Sequence, residues 1–214
     1  MKQGTFQRIL SEGASSLDVE LSSKQLDQFW AYQTLLERWA PKVNLVVEWE
    51  GEKTVGVHFL DGVAVQRILP SNDAPIIDVG SGAGFPGLVL AILNPEREFT
   101  LAEPIGKRGS FLQQVLIAAG LRNCRIELLR TNQIVPQPGR IATARAVFAP
   151  KQWLKEAARI VDSDGWAIVM TAEKLPEKEL ERFAKNQMAL VQADSFTLPV
   201  ENCPRTNSLF RIGE

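Results

Sequence analysis

Along the chain, apolar positions first follow a helical period and then switch to short apolar runs separated by turn residues. Ser22 with Gln25 three residues on has the form of a capping box, and it opens a helix carrying Tyr32, Leu35, Leu36 and Trp39 at helical spacing. Pro41 is expected to end that helix. A further helix is predicted from near Glu52 to Leu69, with Val55, Phe59, Val63, Ile68 and Leu69 as its buried stripe. Pro70 to Pro75 reads as a linker, after which strand and helix signals alternate. Strand IIDV is followed by a helix over Phe85–Leu93, strand Phe99–Ala102, a helix over Lys107–Ala119 stopped by Gly120, and strand Cys124–Leu129. Strand-like ARAV near Ala144 precedes a helix over Lys151–Ile160, a turn at Asp164-Gly165, and strand WAIVMT. A polar helix over Glu177–Lys185 and strands near Leu190–Leu198 and Ser208–Ile212 complete the pattern. This order predicts an α/β fold: a doubly wound, mostly parallel seven-stranded sheet with an antiparallel edge and an N-terminal helical extension. Residues 1–70 are assigned to the extension, packed on the core, and 71–214 to the α/β domain.

The segment IIDVGSGAGFPG, Ile76 to Gly87, carries the most chemistry, because an apolar strand feeds directly into a glycine-dense turn and a helix start. Doubly wound domains build nucleotide and nucleoside pockets this way. Gly80, Gly82 and Gly84 allow a tight turn and close approach of a ligand to backbone. Two frames compete. From the strand end the glycines read G-x-G-x-G, with Phe85 where a dinucleotide loop needs its last glycine. Shifted by two residues, Gly82, Gly84 and Gly87 satisfy G-x-G-x-x-G, so a nicotinamide cofactor stays open on the pattern alone. Glu103, at the end of the second strand, is placed to accept ribose hydroxyls in either case. Because S-adenosylmethionine has no pyrophosphate to cradle, a bulky Phe85 favours the methyl donor. Gly80, Glu103, Arg130 with Thr131 and Asn132, and Arg145 all fall at carboxyl ends of predicted strands, where such sheets bind ligands.

Charge changes the picture more than composition does. The 214 residues carry a net charge of -1. Between Lys107 and Arg159, however, ten Lys or Arg (Lys107, Arg108, Arg122, Arg125, Arg130, Arg140, Arg145, Lys151, Lys155, Arg159) face only Glu127 and Glu156, a sector of +8. A basic sector in a near-neutral protein suits a phosphate backbone, and the prediction is that many of these side chains share the face of the glycine turn. No apolar run reaches the ~20 residues of a membrane span. The N-terminus, MKQGTFQRILSEGASS, lacks the apolar block of a signal peptide, so a cytoplasmic protein is expected. Cys124 and Cys203 have no metal-ligand spacing and His58, the single histidine, completes no recognised site with them. Free thiols and no metal are expected. His58 beside an apolar stripe reads as structural rather than catalytic. Trp153, beside Leu154 and Ala157 at helical spacing, reads as core rather than as a base-stacking platform, and Trp30, Trp39 and Trp49 as packing residues, with exposure as the alternative for Trp49 in the charged run EWEGEK.

LLERW, VNL, HFLDG, DVGSGAGFPG, GKRGSFL and ARAV together resemble the bacterial ribosomal RNA small subunit methyltransferase G family, also called glucose-inhibited division protein B. The resemblance extends nearly end to end. It implies S-adenosylmethionine-dependent methylation of guanine N7 in a loop of 16S ribosomal RNA, with the RNA or the small ribosomal subunit as partner, no membrane, and a monomer as the expected state. By position, Gly80, Gly82, Gly84 and Phe85 contact the methyl donor, Glu103 holds its ribose, Thr131 and Asn132 flank its adenine, and Arg145 sits between donor and substrate. The chain departs from the family's usual pattern at Thr131-Asn132, at Thr171-Ala172 and in its ending NSLFRIGE. Guanine N7 is unprotonated at neutral pH and needs no general base, so alignment carries the rate. It is reachable only in a loop or an unstacked nucleotide. Arg145 is the candidate for orienting the base, with a salt bridge at the strand end as its alternative role. A small-molecule methyltransferase and a nicotinamide-dependent dehydrogenase remain the competing activities.

Overall fold

The computed structural model describes residues 1–46 and 48–213. Helix α1, Gln3–Ser15, is an element not among the expected ones and places Phe6, Ile9, Leu10, Gly13 and Ala14 on one buried stripe. Helix α2, Ser23–Val43, begins at the predicted capping box, with Gln25 N donating to Ser22 Oγ and Ser22 N to Gln25 Oε1. Pro41 does not end it. Proline costs the helix the bond its missing N–H would make to Glu37 O, and with only two helical residues after it the chain still runs to Val43 and closes at Asn44, whose left-handed backbone lets its N–H reach Ala40 O.

The predicted helix beyond residue 50 is a continuous helical segment, α3, residues 51–68, of changing pitch. It runs as α over Gly51–Thr54, π over Val55–Leu60, α over Asp61–Ala64 and 3-10 over Val65–Ile68. Val55, Phe59, Val63 and Ile68 are buried as expected, whereas Leu69 lies past the last turn with extended backbone and is half-buried. The pitch changes re-aim successive side chains, a common use of π segments at functional sites.

Thereafter come β1 Ile76–Val79, α4 Gly87–Leu93, β2 Phe99–Ala102, α5 Gly106–Ala118, β3 Cys124–Glu127, β4 Ile141–Ala144, α6 Pro150–Val161, β5 Trp166–Thr171, α7 Glu177–Ala184, β6 Met188–Leu198 and β7 Cys203–Ile212. Helix α4 starts two residues later than predicted because residues 80–86 form the turn. Strand β3 stops at Glu127, where Leu129 N folds back onto Glu127 O. The last two strands are longer than predicted because they pair over a long antiparallel hairpin. The sheet order is β3-β2-β1-β4-β5-β7-β6, parallel through β5 and antiparallel at β7 and β6. The order reverses at β1, so β1, β2 and β4 present their carboxyl ends to one crevice.

Each sheet face is covered by its own apolar layer. On one, α1, α2 and α3 pack with α4 and α5 in a single cluster that holds Phe6, Phe29, Tyr32, Phe59, Leu88 and Phe111. Aromatic rings link the N-terminal helices to the glycine turn: Phe59 meets Phe6 edge-on at 5.3 Å and Phe85 edge-on at 5.2 Å. On the other face Trp153, Leu154, Ala157 and Ile160 of α6 pack with Phe183 and Phe210. Trp153 is core, with its Nε1 donating to Ile168 O at 2.7 Å. Trp49 is half-buried rather than exposed. Cys124 and Cys203 are free thiols, and burial pushes that of Cys124 up to about 12. No described helix is long and apolar enough to cross a membrane.

Candidate functional site

Strand β1 is buried throughout and delivers the chain into the turn at residues 80–86. Gly80 (φ 69°) needs its missing side chain, since a Cβ there meets Val147 Cγ2 at 2.8 Å. At Gly84 (φ 96°) a Cβ lies 3.0 Å from the Tyr32 hydroxyl, which donates to Ala83 O from 51 residues upstream. Burial holds the Tyr32 pKa well above its ordinary value, so the hydroxyl remains a donor. Asp78, on β1, accepts Gly87 N through Oδ2 at 3.2 Å and so caps the start of α4. Burial drives its carboxyl to about 7, against the opposing effect of that hydrogen bond.

Glu103, one residue past β2, is buried and reaches across to the turn: Oε2 accepts Gly82 N and Oε1 accepts Ile105 N, both at 2.8 Å. Each oxygen keeps a second lone pair. Arg145, one residue past β4, turns toward α3. The residue after it, Ala146, sits at φ 59°, a left-handed backbone that costs a Cβ-bearing residue roughly 1–2 kcal/mol. Arg145 Nη1 donates to Val57 O at 3.0 Å and to Asp61 Oδ2 at 3.3 Å, Nη2 donates to His58 Nδ1 at 3.0 Å, and Cζ lies 5.0 Å from the centroid of Phe85. The salt bridge considered for Arg145 is therefore present, and its partner is Asp61. Arg205 of β7 approaches the other oxygen of Asp61 at 3.4 Å. Burial nevertheless raises the Asp61 pKa, with both arginines opposing it.

An arginine only donates, so His58 Nδ1 accepts and the ring proton sits on Nε2, which donates to Glu48 O at 2.9 Å. Burial, reinforced by Arg145, lowers the His58 pKa to about 3. His58 also stacks on Phe85 at 5.0 Å between centroids. It is a neutral bridge between Glu48 and Arg145 and has no free nitrogen for proton transfer.

A cavity of about 600 Å³ opens between the turn and α3. Gly80, Ser81, Gly82, Ala83 and Phe85 form one wall; Val57, His58, Asp61 and Arg145 form the other. Lys53, Arg108 and Arg205 stand at its edge with Glu48, which gives the lining more cations than anions. Of the predicted residues, Gly80, Gly82, Phe85 and Arg145 meet here, and Glu103 adjoins through Gly82. Gly84 faces inward to Tyr32 and Leu88. Thr131 and Asn132 lie in a 3-10 turn, Thr131–Gln133, past β3 and outside this cavity, where Arg159 donates to Thr131 O. Thr171, one of the departures, is satisfied within the sheet end by Glu173 O and Thr206 O.

The basic sector is divided by the fold. Lys107, Arg108, Arg130, Arg145 and Lys151 follow carboxyl ends of strands, on the side of the turn. Arg122, Arg125 and Arg140 sit at amino ends, on the opposite side; Arg140 is buried and bonds Val135 O and Gln137 Oε1. A long helix and a β-α-β crossover send neighbours in sequence to opposite ends of the sheet. The residues that sequence reasoning did not assign to the site are Asp61, Arg205, Lys53 and Tyr32, together with His58 in its bridging role. The local signal for His58 and Asp61 was their spacing, three residues apart on one predicted helix, within the segment HFLDG.

The family model for rRNA small subunit methyltransferase G matches residues 25–206. A Halorhodospira halophila protein named ribosomal RNA small subunit methyltransferase G is 34% identical, covering 90% of each chain. An Alteromonas mediterranea protein of the same name is 32% identical, covering 92% of each. Among solved structures, a SAM dependent methyltransferase from Aquifex aeolicus superposes with a TM-score of 0.54 at 11% identity, over 84% of this chain and 98% of that one, a likeness of fold. With its sequence matched across the turn, α3 and the Arg145 strand end alike, the chain belongs to the rRNA small subunit methyltransferase G family.

Proposed function

We propose that this protein transfers a methyl group from S-adenosylmethionine to guanine N7 in a loop of 16S ribosomal RNA, acting in the cytoplasm on the RNA or on the small subunit. The observation that carries this reading is a cavity rich in cations, beside a nucleoside-type glycine turn, with no free general base among the described lining residues. His58 has both nitrogens engaged, Asp61 is bridged by two arginines, and Glu48 pairs with Lys53 at 2.8 Å. Such a site suits an acceptor that brings negative charge with it and attacks without losing a proton, and N7 of a guanine in RNA does both.

The residues fit the donor. Gly80 and Gly82 line the cavity, with no atom nearer than 3.8 Å to where a Cβ of Gly82 would stand, and Glu103, pinned by two backbone N–H groups, keeps lone pairs for ribose hydroxyls. Ile105, 47% exposed two residues further on, offers an apolar face for the adenine, and Thr131 and Asn132 follow β3, the strand next to β2. When bound, the donor supplies a sulfonium methyl, which is transferred with its bond electrons left on sulfur. Arg145 has five N–H donors, of which three are engaged by Val57, His58 and Asp61. The remaining two can hold O6 of the guanine and so orient N7.

The test is transfer of labelled methyl to small subunits and, separately, to stripped 16S RNA, both from cells lacking the homologous enzyme. Label on one loop guanine of either form supports the reading. Label on a small molecule instead, insensitive to ribonuclease, would replace it with a small-molecule methyltransferase.

A further inference from the structure

A second hollow, of about 520 Å³, lies between the C-terminal end of α2 and the first turn of α5, lined by Arg38, Trp39, Lys42, Val43, Lys107 and Ser110. The two helices are antiparallel, since Gln28 near the start of α2 bonds Ala119 O at the end of α5. The hollow is therefore on the carboxyl side of the sheet, with the glycine turn. Arg38, Lys42 and Lys107 are all exposed, and none pairs with a carboxylate among the described residues. No acidic side chain lines the hollow. Glu37, the nearest in sequence, is turned away to the N-terminal amine and Gln33. Arg38 and Lys42 are four apart on α2 and so share one edge, their Cβ atoms about 6 Å apart. The floor is apolar: Trp39 is half-buried and packs its inner side on Phe111 at 6.0 Å.

The hollow also adjoins the cavity beside the glycine turn through neighbouring residues of both helices. Arg108, next to Lys107, lines that cavity and donates to Asn44 O at 3.1 Å, tying the chain just after α2 to the start of α5. Leu45, two residues past Val43, is on the cavity side of the tie. A chain lying along Arg38, Lys42 and Lys107 crosses Arg108 and enters the site.

Resting on the function proposed above, we infer that this groove holds the phosphodiester backbone of a single-stranded stretch of the acceptor RNA that flanks the methylated guanine. Three unpaired cations over an apolar floor match a strand whose phosphates face the lysines and arginine and whose base faces the indole. The groove is a docking surface and takes no part in methyl transfer itself.

The experiment compares the unaltered protein with an Arg38→Gln, Lys42→Gln, Lys107→Gln triple variant. It measures donor binding by calorimetry and methylation of RNA across a salt series. Each phosphate contact on a single strand contributes about 0.7 to the salt slope, so the triple variant should lose about 2 from it and raise the KM for RNA by ~10- to 100-fold at 0.1 M salt. Donor Kd and kcat should stay within about threefold. A Lys24→Gln, Arg122→Gln variant, altered in a comparable hollow on the amino side, should match the unaltered protein in KM and slope. Unchanged KM and slope in the triple variant, with the unaltered protein active on RNA, would overturn the groove alone. Absence of transfer to any ribosomal RNA by the unaltered protein would overturn the groove together with the reading it rests on.

Discussion

Replacing Arg145 with alanine removes three hydrogen bonds and a cation over Phe85 in one step. Removing one partner of a buried ion pair costs about 3–5 kcal/mol, since the other charge is left unsatisfied. Here Arg205 remains 3.4 Å from Asp61 and the Arg145 side chain is 18% exposed, so the lower end, about 3 kcal/mol, is expected. Asp61→Asn removes a charge that burial already disfavours, and about 1–2 kcal/mol is expected. If the two act as one unit, the double variant should lose about 1–2 kcal/mol less than the sum, well beyond the 0.3–0.5 kcal/mol within which independent sites add. Urea unfolding followed by tryptophan fluorescence gives all three values. In the same samples Arg145→Ala should bind S-adenosylmethionine within a few fold of the unaltered protein, because the glycine wall and Glu103 are intact. Methyl transfer should fall by ~100-fold or more, the loss that a misplacement of about 1 Å can cause. Additive stabilities would refute a clamp formed by Arg145 on Asp61, and full activity of Arg145→Ala would remove Arg145 from the mechanism.

Tyr32→Phe should cost about 1 kcal/mol, by leaving Ala83 O without its donor, and should weaken donor binding severalfold; denaturation and calorimetry report each. Asp78, at about 7 when folded against 3.8 ordinarily, holds a proton between those values that the unfolded chain has released. Stability should therefore fall as pH rises from about 4 to about 7 and level off above, by at most about 4 kcal/mol at 1.36 kcal/mol per pH unit. Asp78→Asn should flatten that part of the curve, and a retained slope would assign it elsewhere. His58, the single histidine, gives one clean ring signal. Nitrogen-15 spectra should show the Nε2–H tautomer unchanged from pH 5 to 8, whereas a midpoint inside that range would break the bridge from Glu48 to Arg145.

Features set by neighbours along the chain were legible before the structure. The apolar runs gave strands such as Phe99–Ala102 and Trp166–Thr171 to the residue, and the Ser22–Gln25 box gave the start of α2. Helix α1 carries the same kind of signal in Phe6, Ile9 and Leu10. Pro41 does not end α2, because a proline so near the helix end costs one backbone hydrogen bond and leaves the later one, from Asn44 N to Ala40 O, in place. The candidate site divides along the same line. Gly80, Gly82 and Phe85 are one local motif. The clamp joins Arg145 to Asp61 across 84 residues, and Arg205 comes from the last strand, a separation no periodicity encodes. The basic sector shows the converse, where closeness in sequence was divided between two ends of the sheet.

The most direct test of the central claim is cleavage mapping of N7-methylguanosine in 16S RNA. The RNA is taken from cells lacking the homologous enzyme and supplied with either the unaltered protein or its Arg145→Ala variant. One guanine, methylated with the unaltered protein and unmethylated with the variant expressed at the same level, is the predicted result. An unmethylated 16S RNA with both, or equal methylation by both, would contradict it.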